Sequence, residues 1–317
     1  MEEEEWRRGI PSLLKSPSPA ETEAGCLQEY IASDITQLVG WTPLIELNRI
    51  TNKGNLNVRI VGKLESYQPL CSVKDRSALR MIEDAEEKGL ISPGVTTLVE
   101  PTSGNMGIGL AYIALKNPTL GFQGQLDKVA QFKKDIPNVH VLDQFTNVAY
   151  PEAHFKWTGP KIWKDTAGKI DIFVAGSGTG GTVSGVGKYL KMKNPAVKVI
   201  CVEPAESPVI SGGKPSRHKI QGVGPGFVPK NLDTSLIDEI ITVTAEDAMN
   251  NAQRLAREEG FLVGISSGAN LSACLKVASR EESKGRMIVT MFPSGGERYM
   301  NSDLFAAVRE ECTAMTF

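Results

Sequence analysis

Apolar residues along the chain recur with two periods, one typical of helices and one typical of buried strands. Residues 72–88 show the helical period clearly, because Ala78, Met81, Ile82 and Ala85 fall on one face of a helix. Other predicted helices cover 104–116, 245–259 and 268–279, and one more ends at 193; the predicted strands cover 58–64, 96–100, 170–175, 197–202 and 287–291. This alternation predicts an α/β fold with a largely parallel sheet.

The length and charge of the chain limit what it binds. Its 317 residues suggest two domains, at about 100 to 200 residues each, with a cleft between them that suits a small ligand. A net charge of −2 gives no general attraction to nucleic acid or anionic lipid, and no apolar run reaches the roughly 18 residues of a membrane helix. We therefore expect small metabolites as partners, with no nucleic acid and no membrane.

The cysteines and histidines predict neither a disulfide framework nor a metal site. The five cysteines are scattered without a C-x-x-C pair, and His140, His154 and His218 lack metal-ligand spacing. The first ten residues carry four Glu and no apolar core of the kind found in secretion signals. A cytoplasmic location is expected, with residues 1–34 as an N-terminal lead-in broken by prolines.

A glycine-rich segment, GSGTGGT at 176–182, follows a predicted strand and opens a helix. Glycines allow close backbone approach, and successive amide groups at a helix start converge on one point, so the segment is a candidate phosphate site. Tight packing of the helix against the sheet is the alternative interpretation of the same glycines.

Two further segments carry candidate chemistry. TSGNMG at 102–107 lies between a predicted strand and helix, where hydroxyl and amide groups suit a carboxylate or simply cap the helix. Lys74 lies in the first turn of its helix. Most lysines are at the surface, but one beside a phosphate site also suits Schiff-base chemistry.

Taken together, these motifs resemble the pyridoxal-phosphate-dependent cysteine synthase family, also called O-acetylserine (thiol)lyases. The resemblance runs from about residue 35 to residue 312. It is carried by VGWTPL, SVKDR, EPTSGNMG, GTGGT, CVEP, KIQGVGPGFVPKNLD, GISSGAN and PSGGERY. Phrases such as KIQGVGPGFVPKNLD resemble plant members, including the β-cyanoalanine synthases. The resemblance implies fold type II of the pyridoxal-phosphate enzymes, as in the tryptophan synthase β subunit, with two domains of mostly parallel sheets flanked by helices.

The resemblance also implies roles for individual residues. Lys74 is expected to form the covalent imine with pyridoxal 5'-phosphate and later to transfer a proton. The other residues expected to bind the cofactor are Asn105 at the pyridine hydroxyl, Gly178, Thr179, Gly180, Gly181 and Thr182 at the phosphate, and Ser266 at the ring nitrogen. The residues expected at the substrate are Thr102, Ser103 and Gln144, which bind its carboxylate, and Met106 in the same loop.

The implied reaction replaces the acetate of O-acetylserine with sulfide and gives cysteine. The cyanoalanine branch instead displaces sulfide from cysteine with cyanide. Met106, Cys71 and Asn270 resemble that branch, whereas Thr179 resembles the sulfhydrylases. Met106 is alternatively a core-filling side chain. Family analogy further implies a homodimer and binding of serine acetyltransferase.

One part of the family pattern is absent. The stretch between Asn105 and Gln144 is shorter than in the family by about one βαβ unit of roughly 30 residues, and the junction falls at Lys116–Asn117. We expect a smaller domain over 45–146 that lacks this unit, and a larger domain of 35–44 and 147–317. Impaired closure over the substrate is the predicted consequence, and a pseudoenzyme that retains partner binding is the alternative from another class.

Overall fold

The computed structural model describes residues 31–102, 104–114 and 138–315, and it has the predicted mixed α/β fold. The strands are β1 (Leu44–Glu46), β2 (Arg59–Leu64), β3 (Thr97–Val99), β4 (Val139–Val141), β5 (Ile172–Gly176), β6 (Lys198–Pro204), β7 (Glu239–Val243) and β8 (Met287–Phe292). Six of them form a sheet in the order β1-β2-β8-β5-β6-β7. The pair β1 and β2 is antiparallel, and the other neighbours are parallel.

Helices cover both faces of this large sheet. They are α1 (Asn48–Lys53), α2 (Lys74–Glu87), α3 (Asn105–Ala114), α4 (Ala149–Ala153), α5 (Gly159–Asp165), α6 (Gly181–Lys193), α7 (Ala245–Arg254), α8 (Ile265–Ala278) and α9 (Ala306–Ala314). Side chains alternate between the faces of a strand, so Val174 and Ile288 pack with α7 and α8, whereas Phe173 and Val289 pack with α5 and α6. Burial on both faces explains why β5 and β8 contain a single polar side chain, Thr290, whose hydroxyl donates to the carbonyl oxygen of Val174 at 2.8 Å.

A second, smaller unit packs beside the large sheet. It contains the parallel pair β3 and β4 together with α2, α3 and α4. Ala78, Met81, Ile82 and Ala85 are all buried there, so the predicted apolar face of α2 is confirmed. Most of the N-terminal lead-in over 1–34 lies outside the described residues, as do the end of the 104–116 helix and the 116–117 junction. The missing unit therefore stays a prediction.

The strand pairing differs from the predicted division of the chain at one place. Leu44–Glu46 and Arg59–Leu64 belong to the large sheet, because β2 hydrogen-bonds to β8 along its whole length. The predicted smaller domain over 45–146 therefore includes two strands that the large sheet holds. The rest of the domain division stays a prediction.

A buried ion pair joins β2 to α2. The guanidinium of Arg76 donates to both carboxylate oxygens of Glu65 at 2.8 and 2.9 Å, and neither side chain is exposed. Lys63 is also fully buried and donates to the carbonyl oxygen of Thr42 at 3.1 Å. Burial, with the nearby guanidinium, lowers the pKa of Lys63 to about 7. The three groups fix the first turns of α2 against the sheet.

The described ranges show no membrane-spanning or metal-binding feature. None of their helices is long and apolar enough to cross a membrane. Within the same ranges no group of three or more His, Cys, Asp or Glu side chains is arranged to hold a metal ion. Four cysteines, at positions 71, 201, 274 and 312, carry free thiols.

Candidate active site

A cavity lies where the chain leaves the carboxyl ends of β5 and β8, the usual ligand position in parallel sheets. Four helices, α2, α3, α6 and α8, begin at this cavity. Helix N-termini carry partial positive charge, so their convergence favours an anionic ligand. The predicted cofactor residues that line the cavity are Lys74, Asn105, Gly178, Thr179, Gly180, Thr182 and Ser266.

The glycine-rich loop after β5 is held by close backbone packing. A Cβ atom at Gly178 would lie 2.2 Å from the carbonyl oxygen of Gly222, and Gly180 has φ +82°, which favours glycine. Gly180 also caps α6 without offering a side-chain acceptor to the first-turn amides. The structure therefore shows the tight packing, and a phosphate site at these amides stays a prediction.

Lys74 is the first residue of α2, and the segment before it is fixed to the end of β8. The amide of Val73 donates to the carbonyl oxygen of Pro293 at 2.8 Å, and Ser72 forms a β-bridge with Ser294. The Nζ atom of Lys74 lies 2.5 Å from the hydroxyl oxygen of Tyr150. The lysine thus has a fixed backbone and a defined polar partner.

Ser266 and Asn270 form the opposite wall, in the first two turns of α8. Ser266 is buried, and Gly264, which caps the helix, forms no side-chain cap. Asn270 donates to the carbonyl oxygen of Met291 at 2.7 Å, while its Oδ1 atom is buried without a partner among the described residues. This wall therefore offers neutral hydroxyl and amide groups to a ligand.

Arg298 connects Asn105 to the large sheet. Its guanidinium donates to Oδ1 of Asn105 at 3.0 Å and also to the carbonyl oxygen of Leu70. Because the side-chain oxygen of Asn105 accepts from Arg298, the NH₂ group of the same amide is oriented to donate to another acceptor. Sequence reasoning did not select Arg298, although it lies in the PSGGERY motif.

The family of this chain follows from comparison with known proteins. The model of a family described as "Pyridoxal-phosphate dependent enzyme" matches residues 35–116 and 119–294. The chain belongs to this family. "Cysteine synthase 3" of Caenorhabditis elegans is 44% identical, over 92% of this chain and 95% of the relative. "Cysteine synthase A" of Escherichia coli K12 is 43% identical, over 87% and 96% respectively. The solved cysteine synthase of Entamoeba histolytica has a TM-score of 0.84 at 34% identity, covering 90% of this chain and 94% of that one.

Pyridoxal phosphate is the cofactor of this family, and the cavity fits it on three observations. Gly180, which caps α6, offers no side-chain acceptor to the first-turn amides, which suits the phosphate. Lys74 lines the cavity, and a lysine amine suits the aldehyde. The unpartnered Oδ1 of Asn270 is a buried polar atom that a ligand or water would satisfy.

Of the residues predicted at the substrate carboxylate, Thr102 and Gln144 are described, and neither is part of the cavity lining. Gln144 donates its amide to the carbonyl oxygen of Pro101 at 3.0 Å, and its backbone amide donates to Glu100 at 2.9 Å. Met106 is buried in the core of the smaller unit. Thr102 accepts from the amide of Gly104 at 3.4 Å. Ser103 lies outside the described residues, so these assignments remain predictions.

Gly181 and His154 support the glycine-rich loop from behind. A Cβ atom at Gly181 would lie 2.2 Å from the ring of Tyr150, so this glycine provides packing space and does not line the cavity. His154 contacts the hydroxyl of Thr182 at 3.2 Å and that of Thr158 at 3.0 Å. Complete burial lowers the pKa of His154 to about 3, so its ring is neutral. Its isolated position in the sequence gave no signal of this contact.

Proposed function

We propose that the protein is a cysteine synthase, which replaces the acetate of O-acetyl-L-serine with sulfide and releases L-cysteine and acetate. The observation that carries the proposal is that Lys74, the uncapped start of α6 and Ser266 line one cavity. The relatives named cysteine synthase support the choice of this reaction within the family.

In this proposal, each group of residues that lines the cavity binds a different part of the cofactor. The amides at the start of α6, with Thr179 and Thr182, bind the cofactor phosphate. Asn105, oriented by Arg298, hydrogen-bonds the pyridine hydroxyl, and the neutral hydroxyl of Ser266 faces the ring nitrogen. When bound, pyridoxal phosphate supplies the electron sink that makes the α-proton of the amino acid removable. Lys74 holds the cofactor and carries that proton at Nζ.

The loop between β3 and α3 binds the substrate carboxylate in the same proposal. Thr102, Ser103 and Gln144 are the proposed contacts. Glu100 accepts hydrogen bonds from the backbone amides of Asp143 and Gln144 at 2.8 and 2.9 Å, so it joins the two segments that must act together. Carboxylate binding therefore depends on the placement of β3 beside β4.

The test is the visible absorbance of the protein after addition of pyridoxal phosphate, before and after O-acetylserine. We expect a cofactor band that changes on addition of substrate. Lys74→Ala abolishes the band and lowers turnover by roughly a hundredfold or more. Lys88→Ala, at the exposed end of the same helix, leaves both unchanged. If the folded wild-type protein shows no cofactor band, the proposed enzymatic activity is wrong and the pseudoenzyme is favoured.

A β-cyanoalanine synthase is the second candidate, favoured by one observation. Asn270, which resembles the cyanoalanine branch, lines the cavity with an unpartnered oxygen. Competition between sulfide with O-acetylserine and cyanide with cysteine distinguishes the two reactions. A cyanide-dependent turnover at least tenfold above the sulfide-dependent one would select the second candidate.

A homodimer, a cytoplasmic location and recognition of serine acetyltransferase complete the proposal. Ile35, Trp41 and Ile45 are exposed apolar residues close together in the chain, which suits a subunit contact. Sedimentation gives the oligomeric state. A serine acetyltransferase C-terminal peptide that competes with O-acetylserine would support binding at the cavity mouth.

A further inference from the structure

Tyr150 is a fully buried tyrosine whose hydroxyl oxygen lies 2.5 Å from Nζ of Lys74. We propose that Tyr150 is a positioning residue: its hydroxyl holds the Lys74 amine whenever that amine is not bonded to the cofactor, and so keeps it ready to carry the substrate proton. The inference rests on the proposed function for its catalytic consequence. The contact itself belongs to the protein whatever its substrate.

The fold leaves the Tyr150 ring little freedom. Asn147 precedes α4 and holds it in place, because its side chain accepts from the amide of Ala149 at 2.9 Å and donates to the carbonyl oxygen of Leu142 at 2.8 Å. The ring itself fills the space beside Gly181, where even a methyl group would overlap it. The hydroxyl is thus aimed at Lys74 by rigid packing.

A hydroxyl can pair with either form of the lysine amine. The ammonium form donates to the phenol oxygen, and the neutral amine accepts the phenol proton. The amine therefore keeps one hydrogen-bond partner both before and after it gives up or takes a proton. A phenylalanine at this position can do neither.

The ring and the hydroxyl make separate contributions. The Nζ atom lies 5.2 Å from the centre of the Tyr150 ring and 2.5 Å from its hydroxyl oxygen, so it sits beyond the hydroxyl and close to the line of the C–O bond, and its contact is with the hydroxyl. Tyr150→Phe keeps the packing against Gly181 while removing only the hydroxyl. The matched control is Tyr189→Phe, which removes the hydroxyl of another buried tyrosine, whose ring packs on Phe155 and is not part of the cavity lining.

The first measurement uses the cofactor-free protein and requires no turnover. Trace acetylation with acetic anhydride, followed by mass spectrometry, reports the reactivity of Lys74 relative to exposed Lys53. We expect the relative rate at Lys74 to rise at least threefold in Tyr150→Phe, because the amine loses its partner, and to stay unchanged in Tyr189→Phe. Thermal unfolding confirms that both variants are folded.

The second measurement uses the cofactor-loaded enzyme and O-acetylserine deuterated at the α-carbon. In Tyr150→Phe we expect kcat to fall about tenfold with KM within twofold, and the deuterium isotope effect on kcat to increase. A merely structural tyrosine would not change the isotope effect selectively.

The two measurements separate the two proposals. If Lys74 in Tyr150→Phe is acetylated at the same relative rate as in the wild-type protein, and turnover stays within twofold of wild type, the proposed role of Tyr150 is wrong. If the wild-type protein does not convert O-acetylserine, the proposed function fails, whereas the labelling contrast still decides whether Tyr150 holds the amine.

Discussion

Gly178→Ala perturbs the glycine-rich loop at its closest backbone contact. The added Cβ atom would lie 2.2 Å from the carbonyl oxygen of Gly222, whereas ordinary contact begins at 3.4 Å. One of the two backbone segments must therefore move by about 1 Å in a densely packed region. Overpacking of this kind costs about 1–3 kcal/mol of the free energy of unfolding. Displacement of the amides that precede α6 should also weaken cofactor binding at least tenfold, or about 1.4 kcal/mol.

Urea unfolding and titration with pyridoxal phosphate measure the two effects. Gly187→Ala, inside α6, is the matched control, because its new Cβ atom would meet side-chain carbons only at ordinary or slightly tight distances: two methyl groups of Val199 at 3.3 Å and Cβ of Leu236 at 3.9 Å. It should retain wild-type cofactor affinity and change the free energy of unfolding by less than about 1 kcal/mol. A Gly178→Ala protein with wild-type stability and affinity would refute the described packing of the loop.

Three other substitutions test separate parts of the site. Arg298→Gln removes a charged donor from Asn105 and should weaken cofactor binding by about 1.5–3 kcal/mol, measured by the same titration; unchanged affinity would argue against that role. Burial raises the pKa of Asp75 to about 6. The free energy of unfolding of the wild-type protein should therefore fall by up to about 3 kcal/mol as pH rises from 3.8 to 6. Urea unfolding at each pH should show that Asp75→Asn lacks this dependence. If the stability of Asp75→Asn depends on pH as that of the wild-type protein does, the dependence does not arise from Asp75. Met106→Thr places a hydroxyl in the apolar core and should lower the free energy of unfolding by about 2–4 kcal/mol, with the sulfide-to-cyanide preference unchanged; an altered preference would place Met106 in substrate selection.

The sequence predicted those parts of the fold and site that depend on local patterns. The apolar face of α2 and the strands β5 and β8 are buried continuously, so their periodicity is strong. The glycine-rich loop and Lys74 each lie beside a predicted element boundary. Local pattern and family resemblance therefore agreed on Lys74 and the glycine-rich loop, both of which contribute to the cavity lining.

The missed elements have weak local signals. β1, β4 and β7 are short, and their partly exposed residues give little contrast between the two faces. The helical segment from α4 to α5 contains Pro151 and Pro160, and prolines are typical of helix breaks. Pro160 lies in the first turn of α5, directly after the π-helical turn His154–Thr158, where the regular α-helical hydrogen-bond pattern is already interrupted.

The missed site residues depend on contacts between distant parts of the chain. Arg298 meets Asn105 across 193 positions, and Tyr150 meets Lys74 across 76. No spacing rule connects such pairs, since only the packed fold brings them together. Met106 is buried in the core of the smaller unit, and its contact with the substrate stays a prediction.

The buried group of Lys63, Glu65 and Arg76 also bears on how this chain diverges from its relatives. Loss of a single member of a buried charged pair leaves the other charge uncompensated, which costs about 3–5 kcal/mol, whereas joint replacement by apolar residues of similar volume is often neutral. Homologues should therefore retain both Glu65 and Arg76 or replace both, because a chain with only one of the two charges is destabilised. In homologous chains the two positions should covary, and a reconstructed ancestor with only one of the charges should be unstable.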